Sequence, residues 1–216
     1  VTAASAAPRS GGLRVIGDAG TPVDWWFIYK ISRVSTNPSG AKATGAEYLY
    51  YDSAMAKGRA KPSLSKKNAI DSAGALHDTL SQLFTAAARA NKALGWYCYN
   101  DEDRLEPGKT TGTGPSPCGH CKGALAFDLA TDSAFWLIHS VPLLPMNAAW
   151  AYPPTGFKEA QSMLCIQLKD AETSKHIAQL MYDAHGPNVN VASDLLTVAF
   201  QRANNVSHPP VTEVPT

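Results

Sequence analysis

Hydrophobic positions along the chain form two kinds of run. "PVDWWFIYKIS" (22–32) is aromatic and β-branched with almost no polar break, which predicts a central strand. "EYLYYD" (47–52), "WYCYND" (96–101), "KGALAFD" (122–128), "AFWLIHS" (134–140) and "MLCIQL" (163–168) read as further strands. The five residues of "LATDS" join 122–128 to 134–140 as a hairpin. Helical spacing appears across 72–92, where Ala73, Leu76, Leu80, Leu83, Phe84 and Ala87 share a face, Ser72 stands at the N-cap and Gly95 at the end. Two more helical patterns follow, 172–185 with Ile177, Leu180, Met181 and Ala184 on one face, and 191–203. Gly, Pro and Thr mark 37–45 and 106–117 as loops. Strands interleaved with helices predict an α/β or α+β fold, a mixed β-sheet flanked by helices.

Composition narrows the class. The chain has 216 residues, 44% hydrophobic, with a formal net charge of +1. That is enough for one substantial core. No run approaches the ~20 apolar residues of a membrane span. Near-neutral charge argues against broad nonspecific nucleic-acid binding, though not against a local basic patch. The basic stretch 56–67 reads first as a solvated loop. Four cysteines are too few for a disulfide scaffold. Residues 1–15 and the Pro-rich 207–216 carry no core signal, which leaves 16–206 as the folded unit. The small, polar start resembles a mature end left by signal removal, or an arbitrary boundary.

The chemistry concentrates in "SPCGHCKGALAFD" (116–128). Cys118 and Cys121 form a CxxC, which would make the protein a thiol–disulfide oxidoreductase. A redox CxxC needs its first thiol at a helix N-terminus after a strand. Here loop precedes it and a strand follows. Zinc would need two further ligands, and only Cys98 and His120 offer themselves. The alternative lies in His120 and Lys122. Residues i and i+2 of a strand share a face, so these two project together and Cys121 projects away. A turn centred between Ala130 and Thr131 then sets Lys122 opposite His139. Lysine fixes phosphate oxygens as a point charge, and a neutral histidine attacks phosphorus or shuttles a proton. Asp128 has the same parity but lies ~20 Å along the strand, as a turn residue.

"GDAGTPVDWWFIYKI" (17–31), "YND" (99–101), "HCKGALAFD" (120–128), "FWLIHSVPLLP" (135–145), "MLCIQL" and "LLTVAFQRANNV" carry a resemblance. In order and spacing they resemble the deoxyribonuclease II family from about Ile16 to Ser207. The resemblance implies a phospholipase D-like lobe and an acid endonuclease that cuts DNA without a metal ion or other cofactor and leaves 3′-phosphate ends. It implies catalysis by His120 and Lys122 as one HxK. His139 and Ser140 of the HSxP segment, Asp18 and Asp24 of the GDxGxPVDW opening, and Tyr99 and Asn100 of YND are implied as supporting or substrate-binding residues. It also implies a secreted, periplasmic or lysosomal location.

Two departures qualify it. Where the family often has a cysteine bridging to the equivalent of Cys165, this chain has Val15, so Cys165 is expected to lack that partner. The family uses two HxK motifs, and this chain has one. The partners expected are therefore DNA and a second HxK lobe, either a missing C-terminal half or a second copy of the chain. A catalytically incomplete DNA-binding lobe is the competing expectation, with the oxidoreductase behind it.

Overall fold

The computed structural model describes residues 11–37, 39–67, 70, 72–99, 122–142, 144, 152–174 and 176–177. Its centre is one seven-stranded sheet, built from β1 (Trp25–Lys30), β2 (Tyr48–Asp52), β3 (Ser63–Leu64), β4 (Leu94–Tyr99), β5 (Gly123–Asp128), β6 (Ser133–His139) and β7 (Gln161–Leu168). Spatial order is β3-β2-β1-β7-β6-β5-β4. The helices are short: α1 (Ser53–Lys57), α2 (Ala75–Ser81) and α3 (Ala86–Ala90), with a 3-10 turn at Pro154–Phe157.

The fold is α+β, but the expected mixed sheet is corrected. Every described pairing is antiparallel. Parallel neighbours need a crossover between adjacent strands. Here β1-β2-β3 and β4-β5-β6-β7 are each neighbours in sequence and in space, and β7 then closes against β1. α2 and α3 sit in the connection from β3 to β4, which are opposite edges of the sheet and never pair.

Alternation decides the faces. In β1, Trp26, Ile28 and Lys30 are buried, whereas Phe27 and Tyr29 are exposed on the other face. Register carries the first set across to Tyr48 and Tyr50 of β2, to Gln161, Met163 and Cys165 of β7, and to Phe135, Leu137 and His139 of β6. Residues 13–16 and α2 cover this face. Thr79 of α2 accepts from Trp26 Nε1 at 3.2 Å and from Ile16 N at 3.0 Å, and Gln167 Oε1 accepts from Val15 N at 2.9 Å. Leu76, Leu80 and Leu83 fill the core beneath. Cys165 is a free, buried cysteine in the same core cluster as Val15.

The expected helix over 72–92 is two helices. Gln82 Nε2 donates to the Thr79 carbonyl at 2.8 Å, the group that the helix would have offered to Leu83 N. Leu83 N turns to Leu80 O instead, and Thr85 then caps α3 through Ala88 N at 3.0 Å. The start falls at Gly74, not Ser72. Gly74 has φ +90°, and a Cβ there would meet Tyr48 Oη at 2.2 Å, so only glycine brings the chain this close to β2. Residues 171–174 and 176–177 are helical, in line with the expected 172–185. Most of that run, and all of 191–203, lies outside the described residues. The stretch 56–67, read as a solvated loop, contributes the end of α1 and all of β3. No helix among the described residues is long and apolar enough to cross a membrane.

Candidate active site

The β5–β6 hairpin has the register that the turn arithmetic predicts. Asp128 pairs with Ser133 and Gly123 with Ile138, and His139 N donates to Lys122 O at 3.0 Å. Lys122 and His139 therefore stand opposite each other at the open end of the hairpin. Both are buried, at 4% and 6% exposure. Asp128 closes the other end, where its carboxylate accepts from Ala130 N at 2.9 Å, the turn role expected of it. His120 and Asn100, with Cys118 and Cys121, lie outside the described residues.

The His139 ring has a defined state. Val141 N donates to Nδ1 at 3.2 Å. That bond occupies the Nδ1 lone pair and assigns the ring proton to Nε2. Nε2 is buried and has no hydrogen-bond partner among the described residues. Burial pushes the imidazole pKa down to about 3, and the neighbouring Lys122 charge pushes the same way. Contacts with the Val141 and Leu144 backbone oppose these and do not overcome them. His139 is thus neutral through the acid range in which an ordinary histidine is charged.

This state has a cost that can be measured. The unfolded chain takes up a proton on His139 near the ordinary pKa, about 6.5, and the folded chain does not. The contribution of His139 to stability is therefore complete above that pH and is lost as pH falls towards 3. Between pH 7 and pH 5 the wild type is expected to lose ~2 kcal/mol that His139→Leu does not lose. Urea denaturation of both proteins at the two pH values checks this. Parallel pH dependence would show that the ring is protonated in the fold.

The other predicted residues fall in three places. Ser140 ties the end of β6 to β7: its N donates to Ser162 O at 3.0 Å, its Oγ accepts from Ser162 N at 3.0 Å, and its hydroxyl donates to Gln161 Oε1. Tyr99 pairs with Gly123, so the backbone of β4 ends beside Lys122. Asp18 and Asp24 are not brought to His139. Asp18 accepts from Tyr48 Oη at 2.6 Å, from Ala75 N at 3.0 Å and from Ser65 Oγ, which pins β2, the segment after β3 and the start of α2 together. Burial, then the Asp18 contact, raises the Tyr48 phenol pKa. The row through His139 runs by Met163 and Ile28 to Tyr50, so β2 and its Asp18 network stand three strands away, ~14 Å. Asp24 is at the far end of β1, exposed and ion-paired with Lys57 at 2.8 Å.

Sequence reasoning passed over Lys30 and Gln161. Both are buried on the His139 face, one row beyond it, and they pair with each other in the β1–β7 ladder. The signal was available: in "WWFIYK", Lys30 has the parity of the core residues Trp26 and Ile28. Among the described residues, no group of three or more His, Cys, Asp or Glu side chains is placed to hold a metal ion.

Comparison with known proteins gives a consistent picture. The family model described as Deoxyribonuclease II matches residues 15–207. A Burkholderia pseudomallei protein with a deoxyribonuclease-2 name is 35% identical over 167 residues, 77% of this chain and 44% of that protein. Human deoxyribonuclease-2-beta is 33% identical over 180 residues, 80% of this chain and 44% of its own. Cell-death-related nuclease 7 of Caenorhabditis elegans is 32% identical over 160 residues, 74% of this chain and 38% of its own. The chain spans less than half the length of each of these relatives.

Proposed function

The chain belongs to the deoxyribonuclease II family, and from that premise we propose that residues 16–206 are one phospholipase D-like lobe of a metal-independent acid endonuclease acting on DNA. The observation that carries the reading is Lys122 beside a neutral, buried His139 at the mouth of one hairpin. His120 stands two residues before Lys122 in the sequence, which makes the pair an HxK.

The reaction is hydrolysis in two displacements. A histidine nitrogen bonds to phosphorus and the P–O5′ bond breaks. A second histidine, protonated, gives its proton to the leaving 5′ oxygen. It then takes a proton from water, which attacks the phosphohistidine, breaks the P–N bond and leaves a 3′-phosphate. Lys122 holds the non-bridging oxygens as a point charge. His139 remains neutral near pH 5, so it is suited to hold and not to protonate. The two histidines that exchange protons are His120 and the HxK histidine of a second lobe. That lobe is a C-terminal half like the one the longer relatives have room for; a second copy of this chain is the other arrangement. A secreted, periplasmic or lysosomal location suits an acid optimum.

Plasmid nicking with excess EDTA tests the reading. Nicking by the two-lobed form is expected to survive EDTA and to be greatest near pH 5, because the general acid must be protonated and an unperturbed histidine titrates at about 6.5. The nicked ends should resist polymerase extension until a phosphatase removes the 3′-phosphate. Strict dependence on added magnesium, or ends that extend directly, would refute it. A DNA-binding lobe without catalysis would shift DNA on a gel and leave it uncut.

A further inference from the structure

Lys30 is the last residue of β1 and is fully buried. Its Nζ donates to three backbone carbonyls, Ile31 O at 3.1 Å, Gly45 O at 3.2 Å and Phe157 O at 3.3 Å. An ammonium has three donors, and here each has an acceptor. The acceptors come from three separate segments: the end of β1, the loop before β2 and the 3-10 turn before β7. Gly45 makes the convergence possible. It has φ +90°, and a Cβ on it would lie 2.2 Å from Phe157 O.

The clamped 3-10 turn reaches His139. Gly156, next to Phe157, packs so closely that a Cβ on it would meet Tyr152 Cε1 at 2.8 Å and Val141 Cγ1 at 3.1 Å. The Tyr152 and Phe157 rings stack edge to face with centroids 5.0 Å apart. Val141 in turn donates the backbone N–H that fixes Nδ1 of His139. Gln161, paired with Lys30 in the ladder, accepts the hydroxyl of Ser140 beside His139. The links from Lys30 to the imidazole are packed and continuous.

We propose that Lys30 is a positioning residue for the active site, its ammonium acting as a built-in cation that locks the 3-10 turn and, through Val141, sets the tautomer and orientation of His139. The proposal rests on the reading of His139 as part of the site. A neutral amine has only two N–H donors, so deprotonation releases one of the three carbonyls. Burial lowers the Lys30 pKa to about 8, with Glu159 and then Glu47 opposing. Glu47 is held in its own loop, accepting from Thr44 N at 2.8 Å and Gly45 N at 3.1 Å, and Glu159 is exposed beside Lys158. The lock is therefore closed in acid and at neutral pH, and it opens as pH rises through about 8.

The test is NMR of the imidazole signals of the full chain between neutral pH and about pH 10. His139 itself does not titrate there, because its own pKa is about 3. Any step in its signals reports a neighbour. The proposal expects one step with a midpoint near 8. It expects the step to be absent in Lys30→Met, which excludes the terminal amine as its source. In Glu159→Gln the midpoint should move to lower pH, since removing that carboxylate disfavours the charged form. This arm decides the matter if Lys30→Met fails to fold. His139 signals that stay flat, a step that persists in Lys30→Met, or a midpoint unmoved in Glu159→Gln would overturn it. No DNA enters the measurement, so loss of the nuclease reading and loss of this one are separately visible.

Discussion

Lys122→Ala is expected to lower DNA nicking about 10²–10³-fold, the usual effect of deleting a charge that faces a phosphoryl group in a water-poor site. Lys122 is at 4% exposure, so its ammonium acts in a medium where a charge counts for more than at the surface. His120→Ala should abolish nicking, because it removes the histidine of the chain's one HxK. Lys122→Arg should not restore full activity: the guanidinium is planar and larger, and Lys122 and its neighbour His139 are both buried. The control is Cys118→Ser with Cys121→Ser. The proposed reaction gives neither thiol a part, so the double variant should keep most of the nicking activity. A dead double serine variant beside an active His120→Ala would return the thiol chemistry to first place.

The second large effect is on assembly. Proton transfer by a second histidine contributes roughly 10²–10⁴-fold. The chain carries one HxK, and it spans 44% of the length of its Burkholderia and human relatives. A monomer of this chain is therefore expected to be nearly inactive, and supplying a second HxK lobe should raise nicking by about that factor. Titrating the chain with a separately folded C-terminal half, and following nicking rate against concentration, checks this. Activity rising with the square of the concentration of the chain alone would point to paired copies.

Much of the fold was legible because alternation is a local signal. The strands at 25–30, 48–52, 123–128 and 133–139 follow from apolar, aromatic and β-branched runs; burial alternates along the first two, whereas 123–128 is buried at every position. The Lys122–His139 pairing was legible too, since a hairpin's register follows from its turn. What escaped depends on contacts distant in sequence. The parallel character expected of the sheet failed because sequence shows that helices intervene but not between which neighbours. The break in the 72–92 helix depends on Gln82, whose side chain reaches both Arg14 O and Thr79 O. The motif marked Asp18 as a supporting or substrate-binding residue without showing its contacts, since Tyr48, Ser65 and Ala75 lie far along the chain. Lys30 was read simply as part of a strand, and only the three carbonyls that meet on it reveal what its charge does.

The most direct test is plasmid nicking near pH 5 in excess EDTA, run on fractions whose mass is fixed by light scattering. The account predicts strong nicking in fractions that contain two HxK lobes, loss of it in Lys122→Ala and His120→Ala, and almost none from the 23.0 kDa monomer. Full activity from that monomer, or nicking that magnesium restores and both variants retain, would contradict it.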